Sequence, residues 1–410
     1  MVDVDDQAAV LFYAPTFDAL GGGEVWLNRI ANGMAQEGRI IRVIGKAPPH
    51  APVRHSWNPE IRTEYLEPTA PHMDLPTSRR RPVTARTMRI ARTAGDWALR
   101  GWRPPSAFLS DVSPTALDRL SGLIAEFAQE LGGRRAVIVC TDVYTGSHVA
   151  ELKRRGRVDL PYFVMHHNSF ASLSRGTRGA YRRAASAAES FIALTDEDAR
   201  AFRHDGFERV ATVHNPGPRI SGANHAGPRE RSVSWLARMT DVKRGDLALR
   251  AWARVVGDFA DWRLVLYGDG PERQRLEQLA RRLRVQSSVV FAGVTDDPIS
   301  AWSTTSIGLL TSNFEGWPLV IAEAASVEVP TIATDSSPGV REQIRDGEDG
   351  LLVRVGDERA LAEALRTLMR DSRMRHELGA AARRHALEYD LSRVLDEWRA
   401  VVDQAGESGH

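Results

Sequence analysis

Ile307-Gly308-Leu309-Leu310-Thr311-Ser312-Asn313-Phe314-Glu315-Gly316-Trp317-Pro318-Leu319-Val320-Ile321-Ala322-Glu323-Ala324 is the stretch on which the fold turns. Ile307 to Thr311 is an apolar run of strand length, Ser312 to Gly316 has the composition of a tight loop, and Pro318 stands where proline is favoured, in the first turn of a following helix. Ligands of open α/β sheets bind outside the carboxyl ends of such strands. A helix starting here aims the N–H groups of Gly316, Trp317, Leu319 and Val320 at the loop, a ready site for a diphosphate. Glu315 can accept hydrogen bonds from sugar hydroxyls, and Glu323, eight residues on, reaches the other side of the crevice. Two glutamates at that spacing occur often by chance, so the whole string at a strand end carries the reading.

The same alternation extends in both directions. Val233–Leu236, Arg263–Tyr267, Val289–Ala292 and Thr331–Thr334 read as strands separated by helical segments. In the first half, Ala8–Ala14 leads through the glycines 21–23 into a helix from Glu24 to about Glu37. Further apolar runs follow at Ile40–Ile44, Ala136–Cys140, Tyr162–Met165 and Phe191–Leu194. Residues 214–232 are rich in Pro, Gly and polar groups, the composition of a linker. The expected architecture is α/β: two doubly wound Rossmann-like domains, 1–215 and 233–385, joined by a linker at 216–232. A helix within 386–410 is expected to pack back on the first domain. Residues 47–110 read as an irregular and basic insertion.

Composition bounds the function. The 410 residues carry 54 basic and 53 acidic groups, so nucleic acid is not an expected partner. No apolar run reaches the roughly 18 residues of a membrane span, and the acidic N-terminus lacks a secretory pattern, so a cytoplasmic location is expected. The lone Cys140 can form neither an internal disulfide nor a cysteine metal cluster. The charge is uneven, however. Residues 79–103 hold eight Arg and one Asp, a net +7, with Val83, Thr87, Ile90, Ala94 and Trp97 on one helical stripe. Such a helix suits peripheral contact with an anionic membrane surface or an anionic acceptor; the alternative is an ordinary solvated surface helix.

A second string lies at the end of the first strand of the second half, Ser234-Trp235-Leu236-Ala237-Arg238-Met239-Thr240-Asp241-Val242-Lys243-Arg244-Gly245-Asp246. Arg238 and Lys243, five apart across a loop, are suited to clamp two phosphates. Lys243 is one of only three lysines, with Lys46 and Lys153.

On these residues the second half resembles the donor-binding domain of retaining glycosyltransferases of family 4, which have the GT-B fold. The resemblance implies that Arg238 and Lys243 hold the donor diphosphate, that Glu315 contacts the transferred sugar and that Glu323 contacts the ribose hydroxyls. Leu264–Pro271, with Gly268, and Val289–Val294, with Gly293 and Val294 beside the nucleobase, also resemble the family. In the first half, Gly21-Gly22-Gly23-Glu24 resembles the family's glycine loop, which brings the backbone of Gly22 and Gly23 to the donor; alternatively these glycines serve a turn needing positive φ. Pro161 to His167 resembles the strand ending in an acceptor-side histidine, and counting from the proline favours His167 over His166. Asn215 matches an asparagine before the linker.

The resemblance implies transfer of a hexose-type sugar from a UDP- or GDP-linked donor to an acceptor hydroxyl in glycan, glycolipid, cell-envelope or secondary-metabolite synthesis. Configuration would be retained. It also implies a site without a cofactor or metal, the cations and helix amides stabilising the departing diphosphate. Glu315 and Glu323 are then binding groups, since a retaining glycosidase pair must flank the scissile bond about 5 Å apart. A non-hydrolysing nucleotide-sugar epimerase of the same architecture is the alternative. A nicotinamide oxidoreductase and a P-loop enzyme lack their glycine motifs here. A silent nucleotide-sugar-binding protein would not need the full Arg238, Lys243, Glu315 and Glu323 set.

Overall fold

The computed structural model describes residues 7–19, 21–49, 55–67, 114–220 and 229–405. The strands fall into two sheets, parallel throughout. The first contains β1 (Ala9–Ala14), β2 (Ile41–Gly45), β3 (Arg62–Tyr65), β4 (Ala136–Cys140), β5 (Tyr162–Met165), β6 (Ser190–Ala193) and β7 (Val210–Thr212), in the order β3-β2-β1-β4-β5-β6-β7. The second contains β8 (Ser232–Leu236), β9 (Arg263–Tyr267), β10 (Val289–Gly293), β11 (Ile307–Leu310), β12 (Thr331–Thr334) and β13 (Gly350–Val353), in the order β10-β9-β8-β11-β12-β13. Both orders reverse direction once, between β1 and β4 and between β8 and β11. Each reversal opens a crevice at the carboxyl ends of those strands.

Period-two packing explains the apolar runs. Along β1, Val10, Phe12 and Ala14 enter one core while Ala9, Leu11 and Tyr13 enter the other, so the strand is buried on both faces. Three strands escaped the sequence reading, and all three are edges. β3 pairs only with β2, and its Arg62 is exposed with 63–65 half-buried; β7 is half-buried throughout, and β13 pairs with β12 alone at the far edge of the second sheet. An edge strand has one neighbour to satisfy and needs no continuous apolar run. The expectation of an irregular insertion is thus corrected over 62–65, whereas the basic window 79–103 lies outside the described residues.

The halves share a core. Trp317, Leu319 and Ala322 of the second half are buried with Trp26, Ile30 and Phe163 of the first, as are Leu391, Val394, Leu395, Trp398 and Val402. These last five belong to the final helix, Leu391–Val402, which packs against the helix Gly22–Gln36. A Cβ on Gly33 would stand 2.9 Å from Leu395, which marks how closely the two helices approach. The final helix starts where Asp390 accepts from Ser392 N at 2.8 Å. Just beyond it, Asp403 receives both arms of buried Arg39 at 2.7 and 2.8 Å and the amide of Ala8 at 3.1 Å. Burial alone would raise the Asp403 carboxyl, but its bonds to Arg39 outweigh that and hold it below the usual range.

Candidate functional site

Two loops meet at the carboxyl ends of β8 and β11. Thr311 ties them together: its hydroxyl accepts from Trp235 Nε1 at 3.0 Å and lies 2.9 and 3.0 Å from the carbonyls of Lys243 and Arg244. Asn313 N adds a bond to Val242 O at 2.8 Å. Arg244 turns the chain through a left-handed φ of 51° into the helix Gly245–Ala253. Behind the loop, Gly268 has a φ of 121°, and any Cβ there would collide with the Ala237 carbonyl, so glycine is required for β9 to support the loop bearing Arg238.

Lys243 and Glu315 form an ion pair. Nζ lies 2.7 and 2.8 Å from the two carboxylate oxygens, and Ser312 Oγ donates to Oε1 at 2.5 Å. Glu315 is buried while the lysine side chain keeps 28% of its exposure, so an ammonium stands between a buried carboxylate and solvent. Glu323 is buried too and pairs across the halves, with Arg29 Nη2 at 2.5 Å from Oε1. Between the two carboxylates the helix Leu319–Ser326 begins at Leu319, one residue later than the sequence suggested. Pro318 is its N-cap, with extended backbone, and Leu319 and Val320 occupy the first two positions, whose N–H groups have no intrahelical acceptor.

Gly316 and Trp317 have other work. Gly316 forms an isolated antiparallel bridge with Asn168 of the first half, and a Cβ there would overlap the His167 carbonyl and stand 2.8 Å from Asn168 Cα. The Trp317 side chain is buried in the shared core, 5.1 Å from Tyr389 edge to face, and its carbonyl accepts from Asn215 Nδ2 at 3.2 Å. Gly316 therefore lies against the backbone of the first half.

The first half faces this helix with His167 and the glycine loop. His166 turns into the domain, its Nδ1 3.0 Å from Tyr181 Oη; burial, with the neighbouring His167, pushes its pKa down to about 3. The His167 ring lies 4.7 Å from Trp26 edge to face, burial lowers its pKa to about 4, and its Nε2 is buried with no hydrogen-bond partner. It is therefore a neutral imidazole. Gly22 and Gly23 open the helix Gly22–Gln36 without positive φ, and a Cβ on either meets nothing within 4 Å. The turn alternative for these glycines is thus excluded. Beside them, burial raises the Glu24 carboxyl, opposed by its own amide and by the charge of Arg238 across the cleft. Arg238 itself is exposed. Gly293 has a φ of 78° and accepts from Gly268 N at 2.6 Å, which leaves Val294 49% exposed on the rim.

Sequence reading passed over Arg29, Thr311, Ser312 and Asn168. One signal was available for Arg29. It lies three residues after Trp26 and four before Gly33, inside the buried stripe of its helix, where an arginine needs a partner. Thr311 and Asn168 act through bonds to other loops, which no local pattern encodes, whereas Ser312 bonds Glu315 within its own loop.

Residues 221–385 match the family described as glycosyl transferases group 1. An exopolysaccharide phosphotransferase of Streptomyces coelicolor is 33% identical over 175 residues, 42% of this chain and 19% of that protein. An N-acetyl-alpha-D-glucosaminyl L-malate synthase of Bacillus anthracis is 31% identical over 173 residues, 42% of this chain and 45% of that one. The chain spans about half or less of the length of the curated relatives it matches. Among solved structures, HepE of Anabaena in complex with UDP superposes with a TM-score of 0.69 at 17% identity, covering 97% of this chain and 100% of that one. No helix among the described residues is long and apolar enough to cross a membrane. The chain thus has the GT-B fold, and its second half matches the glycosyl transferases group 1 family.

Proposed function

We propose that the protein is a retaining glycosyltransferase that moves a hexose-type sugar from a nucleoside diphosphate to an acceptor hydroxyl in glycan or cell-envelope synthesis. One observation carries the proposal: Lys243, Glu315 and the start of the Leu319–Ser326 helix converge at the β8/β11 crevice, facing His167 and the glycine loop. Matching of 221–385 to glycosyl transferases group 1 and the UDP bound to Anabaena HepE support the donor class.

In this reading Arg238 and Lys243 face the diphosphate, joined by the free amides of Leu319 and Val320. These charges strengthen the leaving group as the glycosidic bond breaks, without a metal. Glu315, neutralised in part by Lys243, accepts from the sugar hydroxyls. The acceptor hydroxyl attacks from the face the diphosphate is leaving and passes its proton to the departing phosphate oxygen. His167, neutral and half-buried beside Gly316, shapes the acceptor side. The basic window 79–103 would bring the enzyme to an anionic membrane; co-sedimentation with anionic vesicles at low salt tests this, and no binding there disposes of it.

A thermal-shift screen of UDP- and GDP-sugars, followed by NMR of the product made with the best donor, tests the function. A retained anomeric configuration and turnover unaffected by a chelator are expected. Inversion defeats the stereochemical claim. A modified nucleotide sugar formed without acceptor would mean an epimerase.

A further inference from the structure

We propose that Arg29 of the first half is a positioning residue for nucleoside binding in the second: it fixes Glu323 so that the remaining carboxylate oxygen is presented to the ribose hydroxyls of a nucleoside diphosphate. The inference rests on the glycosyl-transfer reading of the site.

Arg29 Nη2 is 2.5 Å from Glu323 Oε1, and its Nη1 donates to Pro216 O at 3.3 Å. One guanidinium thus joins the glycine-loop helix, the start of the connection between the halves, and the helix Leu319–Ser326. The planar fork makes both bonds at once, which a lysine ammonium would not reproduce in the same geometry. Glu323 is only 4% exposed, and a buried carboxylate needs a counter-charge to stay ionised at low cost. Arg29 supplies it on one oxygen. Among the described residues, Oε2 of Glu323 takes no hydrogen bond, so the carboxylate is anchored at one end and open at the other.

Such an arrangement is a binding group oriented before its ligand arrives. Without the anchor, Glu323 would sample several rotamers, and ordering it would subtract from the affinity for the nucleotide. The anchor belongs to the opposite half, so the nucleoside pocket is complete only while the halves are together. Nucleotide affinity then contains the association of the halves as one of its terms.

The test is titration calorimetry on the full chain with UDP, with GDP, and with the 2′,3′-dideoxy form of whichever binds. R29Q should weaken the ribonucleotide at least tenfold, close to the loss in E323Q, and leave affinity for the dideoxy form within twofold. R29Q/E323Q should bind no more weakly than E323Q alone. R29K retains a charge and should fall between wild type and R29Q; it also serves if R29Q is too unstable to titrate. Equal loss for the ribo and dideoxy forms would make Arg29 merely structural and overturn the proposal, and so would unchanged or tighter binding in R29Q. Failure of the unaltered chain to bind either nucleotide would instead overturn the transfer reading itself.

Discussion

The two halves use the same fold to different ends. Each sheet reverses its strand order once and opens a crevice there, yet the second half presents two cations and two carboxylates, whereas the first presents the glycine loop with Glu24, the His167 ring and Arg29, which is paired with Glu323. Lys243, Arg238, Glu315 and Glu323 all stand on the second half, whereas the first offers Gly22, Gly23, His167 and Asn168. In the proposed reading the difference follows from what each half holds. A diphosphate is recognised by charge and amide donors, while an acceptor hydroxyl must be placed without attracting the phosphate away.

The comparison is broken most directly at Lys243. In the proposed reading K243A removes a phosphate cation, and it takes the counter-charge from buried Glu315, so kcat should fall by about 10²–10³-fold. K243A/E315Q should recover melting temperature but not turnover, and wild-type kcat in K243A would cancel the division of labour between the halves. E315A should lower sugar transfer by about 10²-fold while weakening the free nucleoside diphosphate much less, measured by steady-state kinetics beside calorimetry. Equal losses would make the carboxylate structural.

On the first half the effects should be smaller. H167A should cost about tenfold in kcat/KM for the acceptor and leave donor affinity intact. Because burial holds His167 near a pKa of about 4, folding opposes its protonation. Its contribution therefore makes stability fall as pH drops from about 6.5 toward 4, and H167A should reduce the slope of that limb of the melting curve against pH, His166 keeping its own share. The smallest effect on turnover is expected just before the connection between the halves, where His214 Nδ1 lies 2.9 Å from Glu397 and Nε2 3.5 Å from Glu342. Burial alone would lower its pKa, but the two carboxylates outweigh it and raise it to about 9. This stabilisation is complete below pH 6.5 and lost as pH rises through 9. H214Q should remove that alkaline slope, and an unaltered slope would show that these ion pairs contribute nothing.

Legibility divided along the same line. Central strands were visible because burial on both faces demands continuous apolar runs, as in Ala9–Ala14. The edges β3 and β7 were not, since one exposed flank lets Arg62 and Thr212 stand in a strand. The string from Phe314 to Ala324 marked a strand end followed by a helix because glycine, proline and two carboxylates fall at fixed offsets in one segment. The partners of those carboxylates were harder to see. Lys243 and Arg29 come from elsewhere in the chain, and only the sheet order and the approach of the two halves bring them within 3 Å. Counting from Pro161 favoured His167 over His166 without showing where either ring goes; His166 bonds Tyr181 inside its domain, and His167 packs on Trp26.

Gly316 gives this closeness a mechanical meaning. Its missing methyl group is the clearance at which the first half comes to rest against the second, since a Cβ would overlap the His167 carbonyl, and Gly339 backs onto the other side of the same peptide. The smallest side chain placed there would act as a shim. It would prop the halves apart by roughly the ångström or so that a carbon needs to clear an oxygen, and the two carboxylates eight residues apart would feel it unequally. Glu315, paired within its own half, would keep its lysine, and Glu323, paired across the gap, would lose its arginine.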